Sequence, residues 1–447
     1  MHSKPRGILF FVFIITFVVT APVVVLYTAG YRYNFGTGQI VQTGILSLAS
    51  SPKGATIYID DVRQKEKTPS VIDNVYTGEH LIKLEKDSYT TWQKELKVER
   101  KQTTFAEQIG LFSVNDPQLI IKQEIIDFFP HPQSQQNIYI VNNDVWTELW
   151  LFDSETIDSK LLARYPIETT VIKNIKWSLK GDFVSLQTIE NNQTHWSLVS
   201  TSETIVIKIN DLLDNIDEGF WDAGDTDNFI VVSDKAFYSI SPQLPVPKQI
   251  TDTPNIALMT FDRGLILSQK ANDQIAISLN KDNQTTIIAY LPQSDYIFQP
   301  AVEQVVMLED IKNGRLILID ATGADQPILL NTSVVLWQWD FENERLLYSD
   351  GYDLHIYYVN EHRDETLTRI SDPITGLAWY PLSDNILYTQ NHGLYAIELD
   401  NRNGRQTITL VEGQDLEQLW VNKKGRQAYF VGTINDQSGI FEQRLQK

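Results

Sequence analysis

From residue 118 onward the chain repeats one short pattern: an aromatic residue, a polar turn of several residues, then an apolar strand. The clearest copies are IKWSLKGDFVSLQT from Ile175, GFWDAGDTDNFIVVS from Gly219, LWQWDFENERLLYS from Leu336, LAWYPLSDNILYT from Leu377 and QLWVNKKGRQAYFV from Gln418. Weaker copies start at Phe128, Thr260 and Ile297. The aligned aromatics are Phe129, Trp177, Trp221, Phe261, Phe298, Trp339, Trp379 and Trp420, spaced 37 to 48 residues apart. A further strand often follows, as in RLILID at 315, HIYYVN at 355 and GLYAIELD at 393. A unit of this length built from four short strands is a β-propeller blade. Eight anchors imply about eight blades. A seven-bladed ring with one irregular unit is the alternative, because the copies at Phe261 and Phe298 are degraded. The last copy stops after its third strand, GIFEQRL, and QLIIKQEI at 118–125 is left over ahead of the first. That strand is expected to supply the missing outer position and close the ring, which removes exposed sheet edges. The tryptophan anchors are read as packing between blades rather than as ligand platforms.

Several copies resemble the Trp-Ser-Pro-Asp-Gly blade motif of TolB-type propellers. Trp177-Ser178-Leu179-Lys180-Gly181 is the nearest, with Leu179 and Lys180 departing from it. The resemblance implies architecture and carries no activity with it. Ten Trp and nineteen Tyr against three Met agree with a mainly β chain. The formal net charge of −20 argues against nucleic acid as a partner, because phosphate binding needs clustered Lys and Arg. With no cysteine, disulfides, thiol catalysis and Cys-based zinc sites are excluded.

Residues 8–27, ILFFVFIITFVVTAPVVVLY, carry no charge. Twenty helical residues rise about 30 Å, the thickness of a bilayer's hydrocarbon core. Pro22 in the second half is tolerated in a membrane helix. Lys4 and Arg6 precede the run, and Arg32 is the only positive charge between it and Lys53. The charge asymmetry places the N-terminus in the cytoplasm and everything after residue 30 outside. Tyr27, Tyr31 and Tyr33 fit an aromatic belt at the outer interface. The competing reading is a cleaved signal peptide. The run is longer than the usual apolar region and no clean small-x-small site follows it, although Thr28, Ala29 and Gly30 leave cleavage open.

Between Gly44 and about Gly110, ILSLAS, ATIYID, HLIKLEK, TWQKELKV and TTFAEQI each alternate polar and apolar residues. Turn residues separate most of them: Ser51-Pro52-Lys53-Gly54, Thr68-Pro69, Thr77-Gly78 and Asp87-Ser88. Five or more short strands in so small a span suggest a β-sandwich. Pro52-Lys53-Gly54-Ala55, Ile57-Tyr58-Ile59-Asp60, Thr68-Pro69, Gly78-Glu79-His80 and Ser88-Tyr89 together resemble the PEGA domain family in order and spacing. Lys53 stands where the motif has Glu, and Asp61 and Ser88 stand where it has Gly. Asp and Ser replace Gly at positive φ at modest cost, so the fold is expected to hold. The resemblance implies a spacer or interaction module of exported, membrane-anchored bacterial proteins, without chemistry of its own. Pro52, Gly54, Thr68 and Pro69 are read as turn-formers rather than ligand contacts.

No nucleophile elbow, H-E-x-x-H, P-loop or dinucleotide fingerprint occurs, and Gly36-Thr37-Gly38 is followed by no helix. His355 and His362 are the only close histidine pair and make poor co-ligands, one in a strand and one beyond it. The stretch 211–228 holds Asp211, Asp214, Asp217, Glu218, Asp222, Asp225 and Asp227. Its spacing does not fit an EF-hand loop, so a solvated blade-joining turn is expected, with calcium as the alternative. Asn192, Asn283 and Asn331 head glycosylation sequons, which matter only in a host that uses them.

The expected organisation is a cytoplasmic tail and transmembrane helix (1–30), a juxtamembrane linker (31–43), a PEGA-like β-sandwich (44–112) and a β-propeller (118–447). The expected role is non-catalytic binding or scaffolding at the cell envelope, with envelope proteins or cell-wall glycans as candidate partners and no cofactor or metal. Catalytic residues are assigned to none, and the ligand-binding residues stay open because propellers bind through loops from many blades. The alternative is an envelope glycan- or peptide-processing enzyme with an acid- or His-lined pocket at the channel mouth. A soluble TolB analogue after cleavage is a third reading.

Overall fold

The computed structural model describes residues 4–28, 30–34, 38–131, 135–203, 205–224, 227–251, 257–262, 264–282, 284–323 and 325–447. Helix α1 (Lys4–Thr28) contains the apolar run, and its side chains from Leu9 onward pack against almost nothing. Leu9–Thr28 is long and apolar enough to cross a membrane, with a mean hydropathy of 2.9. Ala29, which bears on cleavage, lies outside the described residues, as do Gly36 and Thr37.

The segment expected as a linker is structured. Strand β1 (Tyr31–Asn34) pairs antiparallel with the start of β2 (Gln39–Ser51), and β2 then runs on as one continuous strand into the sandwich. The first sheet joins β2 to β1, β5 (Ser70–Tyr76) and β8 (Thr103–Gly110), with β2 and β8 parallel. The second orders β4 (Val62–Lys67), β3 (Thr56–Ile59), β6 (Gly78–Glu85) and β7 (Trp92–Val98). Leu46, Ile57, Ile82, Leu84, Leu96 and Leu111 fill the space between the two sheets. β4 and β5 are absent from the strands expected by alternation. β4, VRQKEK, is an edge strand exposed almost throughout, so no apolar period marks it.

The remaining chain forms eight four-stranded antiparallel sheets among the described residues. Blades 1 to 7 span 125–166, 170–208, 216–251, 257–292, 296–333, 336–369 and 374–412. Blade 8 takes three strands from 414–444 and its outer strand from β9 (Gln118–Ile121), which pairs with the strand Gln437–Arg444. The ring has eight blades and closes as expected. First strands of neighbouring blades meet one another, so they line the centre. All eight aromatic anchors lie at or near the end of these innermost strands, the degraded Phe261 and Phe298 copies included. Four anchors also bond across blades: the indole Nε1 of Trp177 donates to the Phe129 carbonyl (2.9 Å), that of Trp221 to the Lys176 carbonyl (3.0 Å), that of Trp379 to the Gln338 carbonyl (3.1 Å) and that of Trp339 to the Met307 sulfur (3.1 Å). Each such bond to a carbonyl adds about 1 kcal/mol to blade-to-blade register. The anchors therefore serve packing.

The sandwich is bolted to blades 7 and 8. Phe112 is fully buried among Tyr380, Leu387, Leu416 and Phe441, with its ring 5.0 Å from that of Tyr380. Gln446 Nε2 donates to the Leu111 carbonyl (3.1 Å), and the Ser113 amide donates to the Leu445 carbonyl (2.9 Å). Lys94, buried on β7, reaches Glu398 Oε1 (2.5 Å) and the Asp400 carbonyl (2.7 Å), while Trp92 Nε1 donates to Glu398 Oε2 (2.9 Å).

Candidate functional site

The structure disperses most of the residues that the sequence singles out. The acidic stretch 211–228 does not form one turn. It leaves the outer edge of blade 2, enters the innermost strand of blade 3 and ends at the opposite face of the ring. Asp222 is buried and accepts from the Thr260 amide (2.9 Å) and hydroxyl (2.7 Å), fastening blade 3 to blade 4. Asp227 accepts from the Lys180 amide at 3.3 Å, and Asp225 lies outside the described residues. Among the described residues no group of three His, Asp or Glu is placed to hold a metal ion.

His355 stacks on Tyr348 (4.8 Å between ring centres) within blade 6, and His362 sits in the next turn, so the two share no site. Asn192 is in an exposed hairpin turn, Asn331 accepts from Arg315 Nε (2.8 Å), and Asn283 lies outside the described residues. The PEGA-like motif residues bond to one another. Gly54 N donates to the Thr68 carbonyl (2.7 Å), and Thr68 Oγ1 accepts from Ala55 N (3.0 Å). Asp61 and Ser88, the two replacements for Gly, have φ of 62° and 63°, so the backbone there keeps the conformation that favours Gly. These residues build the module.

Two features emerge that the sequence reading did not pick out. The first is a set of carboxylates on or just ahead of the innermost strands, of which the sequence marks only Glu218, as part of the acidic stretch. Glu218, Asp295 and Glu417 each stand three residues ahead of a blade's anchor, and Asp127 stands two ahead of Phe129. Desolvation holds the carboxyls of Asp127, Glu218 and Glu417 above their ordinary range. Asp295 adds to the shift of Glu218, and Asp127 and Asp415 add to that of Glu417. The signal was legible only as a register relative to the anchor, since single acids at about 40-residue intervals do not form a motif.

Asp127 Oδ1 accepts from Phe128 N (2.9 Å) and Gln418 Nε2 (2.6 Å), and an asparagine oxygen can accept both. A carboxyl with a raised folded pKa stabilises when protonated, and that contribution is lost as pH rises through the folded value. Asp127→Asn is therefore expected to raise the melting temperature at pH 8 by roughly 1–3 °C and to leave it unchanged near pH 3, below the unfolded value. Thermal melts of the two proteins at both pH values check this.

The second feature is a cleft where the sandwich meets the ring, on the face that carries the turns between first and second strands. One part has a volume of 780 Å³ and is lined by Gln108 of β8 together with Trp339, Phe341, Arg345, Trp379 and Lys423. An adjoining part of 480 Å³ reaches Trp92, Phe105, Glu398 and Arg402. Both volumes fall in the range of small-molecule and peptide sites. The geometry follows from the turns. Asp340, ending the first strand of blade 6, accepts from Arg345 Nη2 (2.6 Å), Arg345 Nε (3.1 Å) and Asn343 Nδ2 (2.8 Å). So held, the Arg345 guanidinium lies 4.5 Å from the centre of the half-buried Trp379 ring.

β8 forms the other wall. Its last residue, Gly110, approaches blade 7 so closely that a Cβ there would lie 2.5 Å from Asn385 Oδ1. The Asp384 amide donates to the Gln108 carbonyl (3.2 Å). The Asp384 carboxyl stays accessible, but the concave surroundings desolvate it in part and, with Asp340 and Asp400 nearby, hold it above the usual range despite Arg345. The wall aromatics, the paired Asp340–Arg345 and the accessible Asp384 give a surface with apolar faces and fixed polar groups. Among the described residues that line it, no Ser, Cys or His nucleophile–base pair stands.

Residues 43–108 match the PEGA domain. No curated protein matches the chain. Among solved structures, the Dos1 propeller is 10% identical, with 75% of this chain and 96% of that chain covered and a TM-score of 0.46. Sqt1 of Saccharomyces cerevisiae is 10% identical, with 75% and 99% covered and a TM-score of 0.44. The tricorn protease is 12% identical, with 72% of this chain and 34% of that chain covered and a TM-score of 0.36, so the chain spans about a third of that protease's length.

Proposed function

We propose that this chain is a non-catalytic binding or scaffolding protein of the cell envelope, anchored by α1, with the N-terminus in the cytoplasm and the PEGA module and propeller outside the membrane. The carrying observation is the cleft between β8 and blades 6 to 8. It is open and mixed in polarity, with Asp340 and Arg345 paired to each other and the Asp384 carboxyl accessible. Such a surface suits an extended protein segment or a glycan from the envelope, gripped by aromatic faces and fixed polar groups. The rigid junction supports the same reading, because a spacer bonded to the ring through Lys94 and Phe112 holds the cleft in a set orientation above the bilayer. A photo-crosslinking side chain in place of Phe341 tests this in native membranes: a discrete adduct is expected.

A second reading is an enzyme processing envelope glycans or peptides at the channel mouth. It is favoured by the raised carboxyls of Asp127, Glu218 and Glu417 on the innermost strands. It requires turnover of an envelope polymer that Glu218→Gln and Glu417→Gln abolish.

A further inference from the structure

The chain is acidic, with a formal net charge of −20, yet the end of the PEGA module beside the helix exit is cationic. Two contacts bring distant residues together there. The Thr43 amide donates to the Gly30 carbonyl (2.9 Å), and the Lys101 amide donates to the Thr43 carbonyl (3.0 Å). The β7–β8 turn, Glu99-Arg100-Lys101-Gln102, therefore lies directly beside the point where α1 ends. The β1–β2 hairpin folds back along the last turn of α1: the Arg32 guanidinium lies 3.7 Å from the Tyr27 ring centre, and its Nη1 donates to the Tyr27 carbonyl (2.7 Å). Glu99 is paired with Lys97 (3.3 Å), whereas Arg32, Arg100 and Lys101 have no carboxylate partner among the described residues. Ile40 on the hairpin is 60% exposed.

We propose that this end of the module seats on the bilayer surface by binding anionic phospholipid headgroups through Arg32, Arg100 and Lys101, with Ile40 entering the interface. The proposal rests on α1 being a membrane anchor. Three unneutralised cations held at headgroup level by a bilayer-length helix are attracted to an anionic surface and indifferent to a zwitterionic one. An exposed aliphatic side chain beside them adds apolar burial at the same depth. The seat would fix how far the cleft stands from the membrane, because β2 carries the hairpin and the sandwich core as one strand.

The chain has no cysteine, so Gln102→Cys introduces a single thiol for a fluorophore. The full chain is reconstituted in phosphatidylcholine vesicles, with and without 30% phosphatidylglycerol, each doped with a lipid bearing a nitroxide on its headgroup. Quenching at position 102 is expected to be about threefold stronger in the anionic vesicles, and the difference should vanish near 1 M salt and in R100Q/K101Q. A probe at Asn313→Cys, in a blade 5 turn, is expected to be quenched in neither. Equal quenching in the two vesicles, for protein that floats with both, would overturn the headgroup seat and leave the anchor standing. Failure to float with either would overturn the anchor and the seat together.

Discussion

Replacing Lys94 by alanine is expected to destabilise the chain by about 3–5 kcal/mol and to split its unfolding into two transitions. Lys94 is 3% exposed and lies between Glu398, 7% exposed, and the Asp400 carbonyl. Removing the ammonium leaves Glu398 buried with only neutral donors, Trp92 Nε1 and the Gln406 amide. A lone buried carboxylate costs far more than the pair contributes, so the penalty falls on the contact between sandwich and ring. In the parent protein the two are expected to melt together, and in Lys94→Ala the PEGA module should separate first. Glu398→Gln added to Lys94→Ala should recover most of the loss, because the amide oxygen still accepts while the stranded charge is gone. Calorimetry of the four proteins forms the cycle. A Lys94→Ala loss below about 1 kcal/mol would show that the junction does not depend on this pair.

Ring closure gives the second large effect. Gly439, on the third strand of blade 8, faces β9 so closely that a Cβ would lie 1.9 Å from the Ile121 carbonyl oxygen. Backbone cannot yield as a side-chain tip can, so Gly439→Val must push β9 off the blade. That exposes two strand edges and loses the burial of Ile121 beside Trp420 and Ile440. A cost of about 3 kcal/mol or more is expected, with new proteolysis between residues 114 and 124. Ser438→Val, at the exposed neighbouring position, should change neither melting nor proteolysis. Unchanged stability in Gly439→Val would mean that β9 does not hold the ring shut.

Much of the fold was legible because a few side chains recur at fixed register. The anchors of blades 2, 3, 6, 7 and 8 are tryptophans, and an aromatic ending each innermost strand is the same packing solution repeated. β9 was legible as a leftover strand beside an incomplete copy. β4 was not, since VRQKEK is solvated on both faces and has no period to read. The junction did leave one trace. On β7, Trp92, Lys94, Leu96 and Val98 share the buried phase, and a lysine there requires a buried acid. Its partner, Glu398, lies about three hundred residues further along, beyond any local pattern. The cleft was hidden for the same reason. Asp340 and Arg345 read as ordinary turn residues until β8 is brought against blade 7, and Arg100 and Lys101 read as a charged loop until Thr43 joins them to Gly30.

Binding at the cleft is tested most directly by site-specific photo-crosslinking of the full chain in its native membranes. One benzophenone side chain replaces Phe341 in the cleft, and another replaces Ile126, which is 50% exposed on the innermost strand of blade 1. The expected result is an adduct of discrete mass from position 341, absent from position 126 and weakened by Arg345→Ala, which removes the guanidinium stacked on Trp379 and held by Asp340. Adducts from position 126 alone, or turnover of an envelope polymer that depends on Glu218 and Glu417, would contradict it and move the functional surface to the channel.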